Sequence, residues 1–284
     1  MVIPPAWKDI WICPDPDGHI QATGVDDAGR KQYIYHPNWT RRRGRRKFAH
    51  VRIVGDALPR LRRRVGKDLN SRGVSRVRVL ALAVRLLDLG LFRIGGDAYA
   101  TGADPTFGVA TLLARHVSQH GSELDFDYQA KGNTKRTVTV ADRAAATAIA
   151  ALKRQRTGTD RLLAWRDKKG AWHEIHSDDI NDYLRSASGI RMSAKDLRTW
   201  HATVRAAARL SQAGPPTSKT AARRTAARVI REVAEDLGNT PTVARASYVD
   251  PVVIERFEHG KTINVPARKS GPAVEAAVAE FLHE

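Results

Sequence analysis

Short apolar runs bounded by turn residues occupy the first 36 positions of this chain, and beyond them apolar residues recur mainly at helical spacing. That change of period sets the expected fold class, α+β, with a small N-terminal sheet and a larger, mainly helical body. Residues 10–12, 19–23 and 32–36 read as strands, and Asp26-Asp27-Ala28-Gly29 supplies turn chemistry between the second and third. After Pro37 two basic helices are expected, near 40–54 and 56–70, with Pro59 in the first turn of the second, where no amide hydrogen is needed. Ser71-Arg72-Gly73 reads as a hinge, which gives two domains, 1–72 and 73–284.

In the second part Val77, Leu80, Val84, Leu87 and Leu91 mark a buried helical stripe that runs up to Gly90. A hairpin follows over 123–140, turning at Lys131-Gly132-Asn133, and then an alanine-rich helix over 141–154. A smaller hairpin is expected over 162–175, around Lys168-Lys169-Gly170. Three helices come next, near 178–187, 194–212 and 219–237. From Gly260 the chain reads as a Pro/Gly/Lys loop ahead of a short terminal helix.

Charge narrows the function. The 284 residues carry 48 Lys+Arg against 30 Asp+Glu, a net +18, and residues 1–73 hold 16 of the basic and 7 of the acidic groups. Such an excess suits a polyanion. The run Arg41-Arg42-Arg43-Gly44-Arg45-Arg46-Lys47 is not an amphipathic membrane stripe, so nucleic acid is the expected partner. No apolar run is long enough to span a bilayer and no signal-peptide pattern is present, so no membrane is expected. Cys13 is the single cysteine, which fits a reducing cytosol.

The helix over 219–237 should stop at Gly238, and the short segment after it presents one tyrosine, Tyr248. A phenol is mostly protonated at neutral pH, so its attack on a phosphodiester needs cationic surroundings or a proton acceptor. Ser193 and Asp196 fit a capping box that opens the helix near 194. That would place Lys195, with Arg198 at the edge of the stripe Leu197, Trp200, Val204 and Ala207, either as solvated surface charges or where free amides and two cations converge on a phosphate-sized space. Arg93 lies among core-type residues and must pair with something: Asp97, Asp104 or a phosphate. Lys131 at a turn reads alone as a surface lysine, and Asn239 as a partner in the Gly238 helix stop.

The chain lacks a Gly-x-x-x-x-Gly-Lys-Ser/Thr loop, so no nucleotide is expected. His173-Glu174-Ile175-His176 has the wrong spacing for a zinc helix, and neither a metal nor a cofactor is expected.

The order Arg93, Lys131, Arg198, Asn239, Tyr248 decides the reading. With Lys195-Asp196-Leu197-Arg198-Thr199, Leu237-Gly238-Asn239-Thr240-Pro241, Ser247-Tyr248-Val249-Asp250-Pro251 and Gly29-Arg30-Lys31-Gln32-Tyr33-Ile34-Tyr35, it resembles the type IB DNA topoisomerases, in their poxvirus-like and bacterial branch. The resemblance implies two domains closing on duplex DNA like a clamp, the larger with the catalytic fold that this family shares with tyrosine recombinases. Tyr248 matches the nucleophile that forms a 3′-phosphotyrosyl link. Arg93 and Arg198 match the arginines that bind the non-bridging oxygens, and Lys131 matches the acid that protonates the leaving 5′-oxygen. Asn239 stands where the poxvirus enzyme has histidine. An amide can donate a hydrogen bond there but cannot titrate near neutrality.

Lys195 and Tyr99 match positions near the scissile phosphate, and Gln32, Tyr33 and Tyr35 match positions that reach the major groove. Arg41, Arg42 and Arg43 are expected on phosphates generally. The implied activity is nicking, rotation and religation without ATP, by a monomer on the cytoplasmic nucleoid. The nearest rival is a tyrosine recombinase, and Lys195-Asp196-Leu197-Arg198 in place of His-x-x-Arg, with a β-rich start, points away from it. A non-catalytic DNA-packaging protein would explain the charge but not the ordered residues.

Overall fold

A computed structural model describes residues 1–155, 160–264 and 271–283. The chain divides into two compact units, Met1–His50 and Val51–Glu284. Among the described residues no helix is long and apolar enough to cross a membrane.

The first unit holds an antiparallel sheet, β1 (Lys8–Ile12), β2 (Ile20–Val25) and β3 (Lys31–Tyr35), in that order. Ala22 pairs with Ile34 and Thr23 with Tyr33. The β2–β3 turn forms because Asp26 Oδ1 accepts from the amides of Ala28 at 3.0 Å and Arg30 at 2.9 Å, as its composition requires. The Arg30 side chain, then its amide, hold the Asp26 carboxyl down at about 2.

The helix α1 runs from Pro37 to Leu69 without a break. This corrects the expectation of two helices, because Pro59 lies inside one. The reason is packing: Val51, Val54, Leu58, Leu61, Val65 and Leu69 form one buried stripe across the proline. Burying six such side chains contributes on the order of 10 kcal/mol, against about 3 kcal/mol for an interior proline. That stripe is also why α1 from Val51 onward belongs to the second unit, whereas a division at 72/73 assigns all of α1 to the first.

The second unit is built round α2 (Arg76–Gly90), in which Val79 to Val84, Leu86 and Leu87 are buried on every side. A helix apolar all round must lie in a core. Val77, expected in the stripe, instead lies at the exposed end. Around α2 stand an antiparallel sheet, β4 (Val117–His120), β5 (Glu123–Ala130) and β6 (Thr134–Ala141), and the helix α3 (Arg143–Gln155). The hairpin β7 (Ala164–Arg166) and β8 (Trp172–Glu174) and the helices α4 (Ser177–Ser188) and α5 (Ala194–Ala213) complete that shell. Next come α6 (Lys219–Leu237), α7 (Pro241–Ser247), α8 (Pro251–Glu258) and α9 (Pro272–His283). The strand β4 was not anticipated. The expected Pro/Gly/Lys loop falls largely on 265–270, outside the described residues.

Two close arrangements fix the frame of the site. Any Cβ on Gly55 of α1 would stand 2.5 Å from the ring of Trp200 on α5, so the helices touch where only glycine fits. Gly55→Ala is therefore expected to destabilise the protein by about 1–3 kcal/mol through overpacking. This outweighs the roughly 1 kcal/mol that alanine gains in a helix. Urea unfolding measures it, and an unchanged midpoint would mean that the Trp200 ring can move aside.

The second arrangement is a buried charge cluster. Asp88 of α2 takes Arg62 at 2.8 Å and His201 at 2.9 Å, and Arg62 also takes Glu275 of α9 at 2.5 Å. Burial alone would raise the Asp88 carboxyl, but His201 and Arg62 hold it far below the usual carboxylate range. The terminal helix is thereby tied to α1, α2 and α5.

Candidate active site

Helix α6 ends at Gly238, which adopts φ +57, and the amide of Asn239 reaches back to Ala234 O at 2.8 Å. The expected stop is there, and it leaves the carbonyls of residues 236–238 free to accept from side chains. Thr240 caps α7, its hydroxyl accepting from Val243 N at 3.3 Å. The short α7 ends on Tyr248, whose amide bonds to Ala244 O at 2.9 Å. Below the tyrosine, Val249 and Asp250 are buried, and Asp250 caps α8 through Val252 N at 3.0 Å. Arg52 of α1 pairs with Asp250 at 3.2 Å, and Thr203 Oγ1 of α5 accepts from Asp250 N at 3.1 Å. The tyrosine backbone is thus anchored to two long helices, and its half-buried ring packs against the core.

The Tyr248 ring lies 5.6 Å from the guanidinium carbon of Arg198. Arg198 is 4% exposed. This corrects its expected place at the stripe edge: from α5 it reaches inward, and its two terminal nitrogens donate to Leu91 O and Leu237 O. Burial, then the neighbouring Arg93, pushes this guanidinium down to about 10, so it stays charged at neutral pH.

Arg93 follows α2 on a segment held by Val109 N to Arg93 O at 2.9 Å and Ala110 N to Ile94 O at 2.7 Å. Its Nη2 donates to Gly238 O at 2.8 Å and to Asn239 Oδ1. Neither expected carboxylate takes it. Asp97 pairs instead with Arg161 and His176, each at 2.8 Å.

The Arg93 contact orients Asn239. Arginine only donates, so the amide oxygen must face it and the NH2 must face away. That Nδ2 is buried with no partner, as are Nε of Arg198 and Nε of Arg136. Arg136, on β6, is the functional candidate that the sequence reading missed: its Nη2 donates to Asp236 O at 2.6 Å. In sequence it is one arginine on an alternating strand, with no local motif to mark it.

Other expectations divide. Lys131 lies on the exposed turn between β5 and β6, and its ammonium has no partner among the described residues. Lys195 is likewise exposed. The first-turn amides of α5 are also engaged, Ala194 N with Asn181 Oδ1 at 3.1 Å and Asp196 N with Ser193 O at 3.0 Å. At the expected capping box the Asp196 carboxylate accepts from the Ser193 amide at 3.0 Å and hydroxyl at 2.7 Å.

Tyr99 is 67% exposed on the loop after Arg93. In the first unit Gln32 donates to Asp26 at 2.8 Å, and Tyr33 and Tyr35 stack on one face with centroids 6.0 Å apart. Arg41, Arg42 and Arg43 are exposed on α1. No His/Cys/Asp/Glu group suited to a metal occurs among the described residues.

Chemically, the site surrounds one phenol with guanidinium groups and an amide donor, and none of Arg93, Arg136 and Arg198 has a carboxylate partner among the described residues. Such an arrangement of donors without a carboxylate suits an anion.

Residues 36–263 match the family described as eukaryotic DNA topoisomerase I, catalytic core, and residues 1–26 match the bacterial DNA topoisomerase IB N-terminal domain. A DNA topoisomerase 1B of Acanthamoeba polyphaga mimivirus is 24% identical over 277 residues, covering 95% of this chain and 82% of that protein. Among solved structures, the XerH site-specific recombinase in a post-cleavage complex with palindromic difH gives a TM-score of 0.42 at 15% identity, over 70% of this chain and 49% of that one. Its pre-cleavage complex gives 0.42 at 16%, over 72% and 51%. The chain thus spans about half the length of these recombinase chains.

Proposed function

The chain belongs to the DNA topoisomerase I family, as a type IB DNA topoisomerase, and from that premise we propose that Tyr248 is its nucleophile on duplex DNA. The Tyr248 oxygen, its phenolic proton passing to solvent, attacks a backbone phosphorus, forming a 3′-phosphotyrosyl bond as the bond to the 5′-oxygen breaks. Arg93 and Arg198 bind the non-bridging oxygens, and the free NH2 of Asn239 donates to one of them as charge builds. Lys131, on its exposed turn, delivers the proton that the leaving 5′-oxygen needs. Lys195 assists near the same phosphate. The reverse attack by the 5′-hydroxyl restores the strand and frees the tyrosine, so neither ATP nor a metal enters the balance. Between the two steps the cut strand rotates and supercoils of either sign relax.

The observation that carries this reading is the free donor of Asn239 beside two arginines without carboxylates, all three placed around the end of α6 next to Tyr248. Gln32, Tyr33, Tyr35, Tyr99 and the exposed Arg41, Arg42 and Arg43 are the proposed DNA contacts, with the arginines steepening the salt dependence of binding. The protein acts as a monomer, on the nucleoid in the cytoplasm.

Purified protein is expected to relax positively and negatively supercoiled plasmid without ATP or added Mg²⁺, on DNA lacking any recombination site. Failure on both substrates would sink the proposal. Strand exchange in place of relaxation would move the chain to the recombinases.

A further inference from the structure

Three consecutive carbonyls end α6, and each is held by a different arginine. Arg136 takes Asp236 O at 2.6 Å, Arg198 takes Leu237 O, and Arg93 takes Gly238 O at 2.8 Å. The three guanidiniums arrive from β6, α5 and the segment after α2, so no local motif gathers them. Arg136 stands close in: its Nη1 lies 2.9 Å from where a Cβ on Gly238 would be. The Asp236 side chain is turned away, pairing with Arg205 at 3.1 Å and Arg209 at 2.8 Å.

Three like charges in a partly buried site repel one another, and carbonyl dipoles at the negative end of a helix offset that only in part. An anion in their midst completes the arrangement. The unpartnered buried Nε of Arg136 and of Arg198, with Nδ2 of Asn239, are the donors such an anion would meet.

We propose that Arg136 is a third phosphate-binding arginine of the cleavage site, contacting a non-bridging oxygen of the attacked phosphodiester. The inference rests on Tyr248 being the nucleophile. A phosphodiester carries one negative charge and the phosphorane that phenolate attack produces carries two. A third guanidinium therefore binds the transition state more strongly than the ground state, and that difference raises the rate. The Asp236 carbonyl of α6 holds Arg136 in position. A phosphate oxygen, being charged, is the better acceptor and displaces it.

Single-turnover cleavage of two duplexes tests this, one with an ordinary scissile phosphodiester and one with a scissile methylphosphonate, which lacks an anionic oxygen. Arg136→Ala should cleave the phosphodiester about 100-fold more slowly than the wild type. On the methylphosphonate the deficit should shrink to less than about 10-fold, because the oxygen that the arginine neutralises is absent. Equal deficits on both duplexes would overturn the proposal and make Arg136 a positioning residue for α6; no deficit on either would also overturn it. If Arg136→Ala unfolds, Arg136→Gln is read in the same way, since it can keep a hydrogen bond to Asp236 O without the charge. A wild-type protein that cleaves neither duplex would count against Tyr248 and not against Arg136 alone.

Discussion

Tyr248→Phe will bind duplex DNA with nearly wild-type affinity and relax none of it. The substitution removes one oxygen atom and leaves the ring that packs against the core. The backbone there is held independently of the hydroxyl, through Ala244 O at 2.9 Å and the Asp250 contacts with Arg52 and Thr203. Stability should therefore change by about 0.5 kcal/mol or less. The cations that meet the DNA backbone are untouched, so the salt dependence of binding should keep its slope. Only the nucleophile is lost, and no other tyrosine replaces it: Tyr128 is buried in the core and Tyr99 stands on a separate loop. The measurements are plasmid relaxation, filter binding, and mapping of the residue linked to a suicide substrate. Normal relaxation by the phenylalanine variant, or a covalent link elsewhere, would end the assignment.

The helical body was legible because its signals are long. Periodicity over fifteen or more residues located α2, α5 and α6, and Gly238 marked the end of α6 to the residue. The hairpin β5–β6 was equally plain, with both strands alternating around Lys131-Gly132-Asn133. What escaped depended on tertiary contacts. Pro59 is a local stop signal, and only the buried stripe on both sides of it carries α1 through. The four residues of β4 are too few to show a period.

The site divides in the same way. Tyr248, Arg93, Arg198 and Asn239 were singled out by their order and context, and the structure brings all four to the end of α6. Arg198 was placed at the edge of its stripe, because helical spacing does not reveal that a long side chain next to Leu197 will turn inward to two free carbonyls. Arg136 was invisible, since an arginine on a strand reads as solvated until α6 is packed against it. The helix end thus does two jobs that sequence shows as one: it stops α6, and it presents the carbonyls that collect the arginines.

Arg198→Lys will lose about 10²–10³-fold in cleavage rate, and the loss will grow with pH. The first part follows from shape. The guanidinium spans Leu91 O and Leu237 O while staying beside the Tyr248 ring, and a single ammonium cannot reach two acceptors on opposite sides and a phosphate as well. The second part follows from the surroundings. Burial and Arg93 bring the native guanidinium down from 12.5 to about 10, still well above neutrality, so the wild type keeps its charge through the physiological range. An ammonium begins lower, at about 10.4, and the same burial and the same neighbour act on it in the same direction, toward the neutral form. As pH rises, the lysine variant therefore gives up its charge before the wild type does. The ratio of wild-type to variant cleavage should widen between about pH 7 and about pH 9, with DNA binding changing far less because exposed arginines supply most of it. Single-turnover cleavage across that range measures the ratio. A ratio that stays constant would mean that shape alone sets the defect, and that the charge on residue 198 is not what the phosphorane needs.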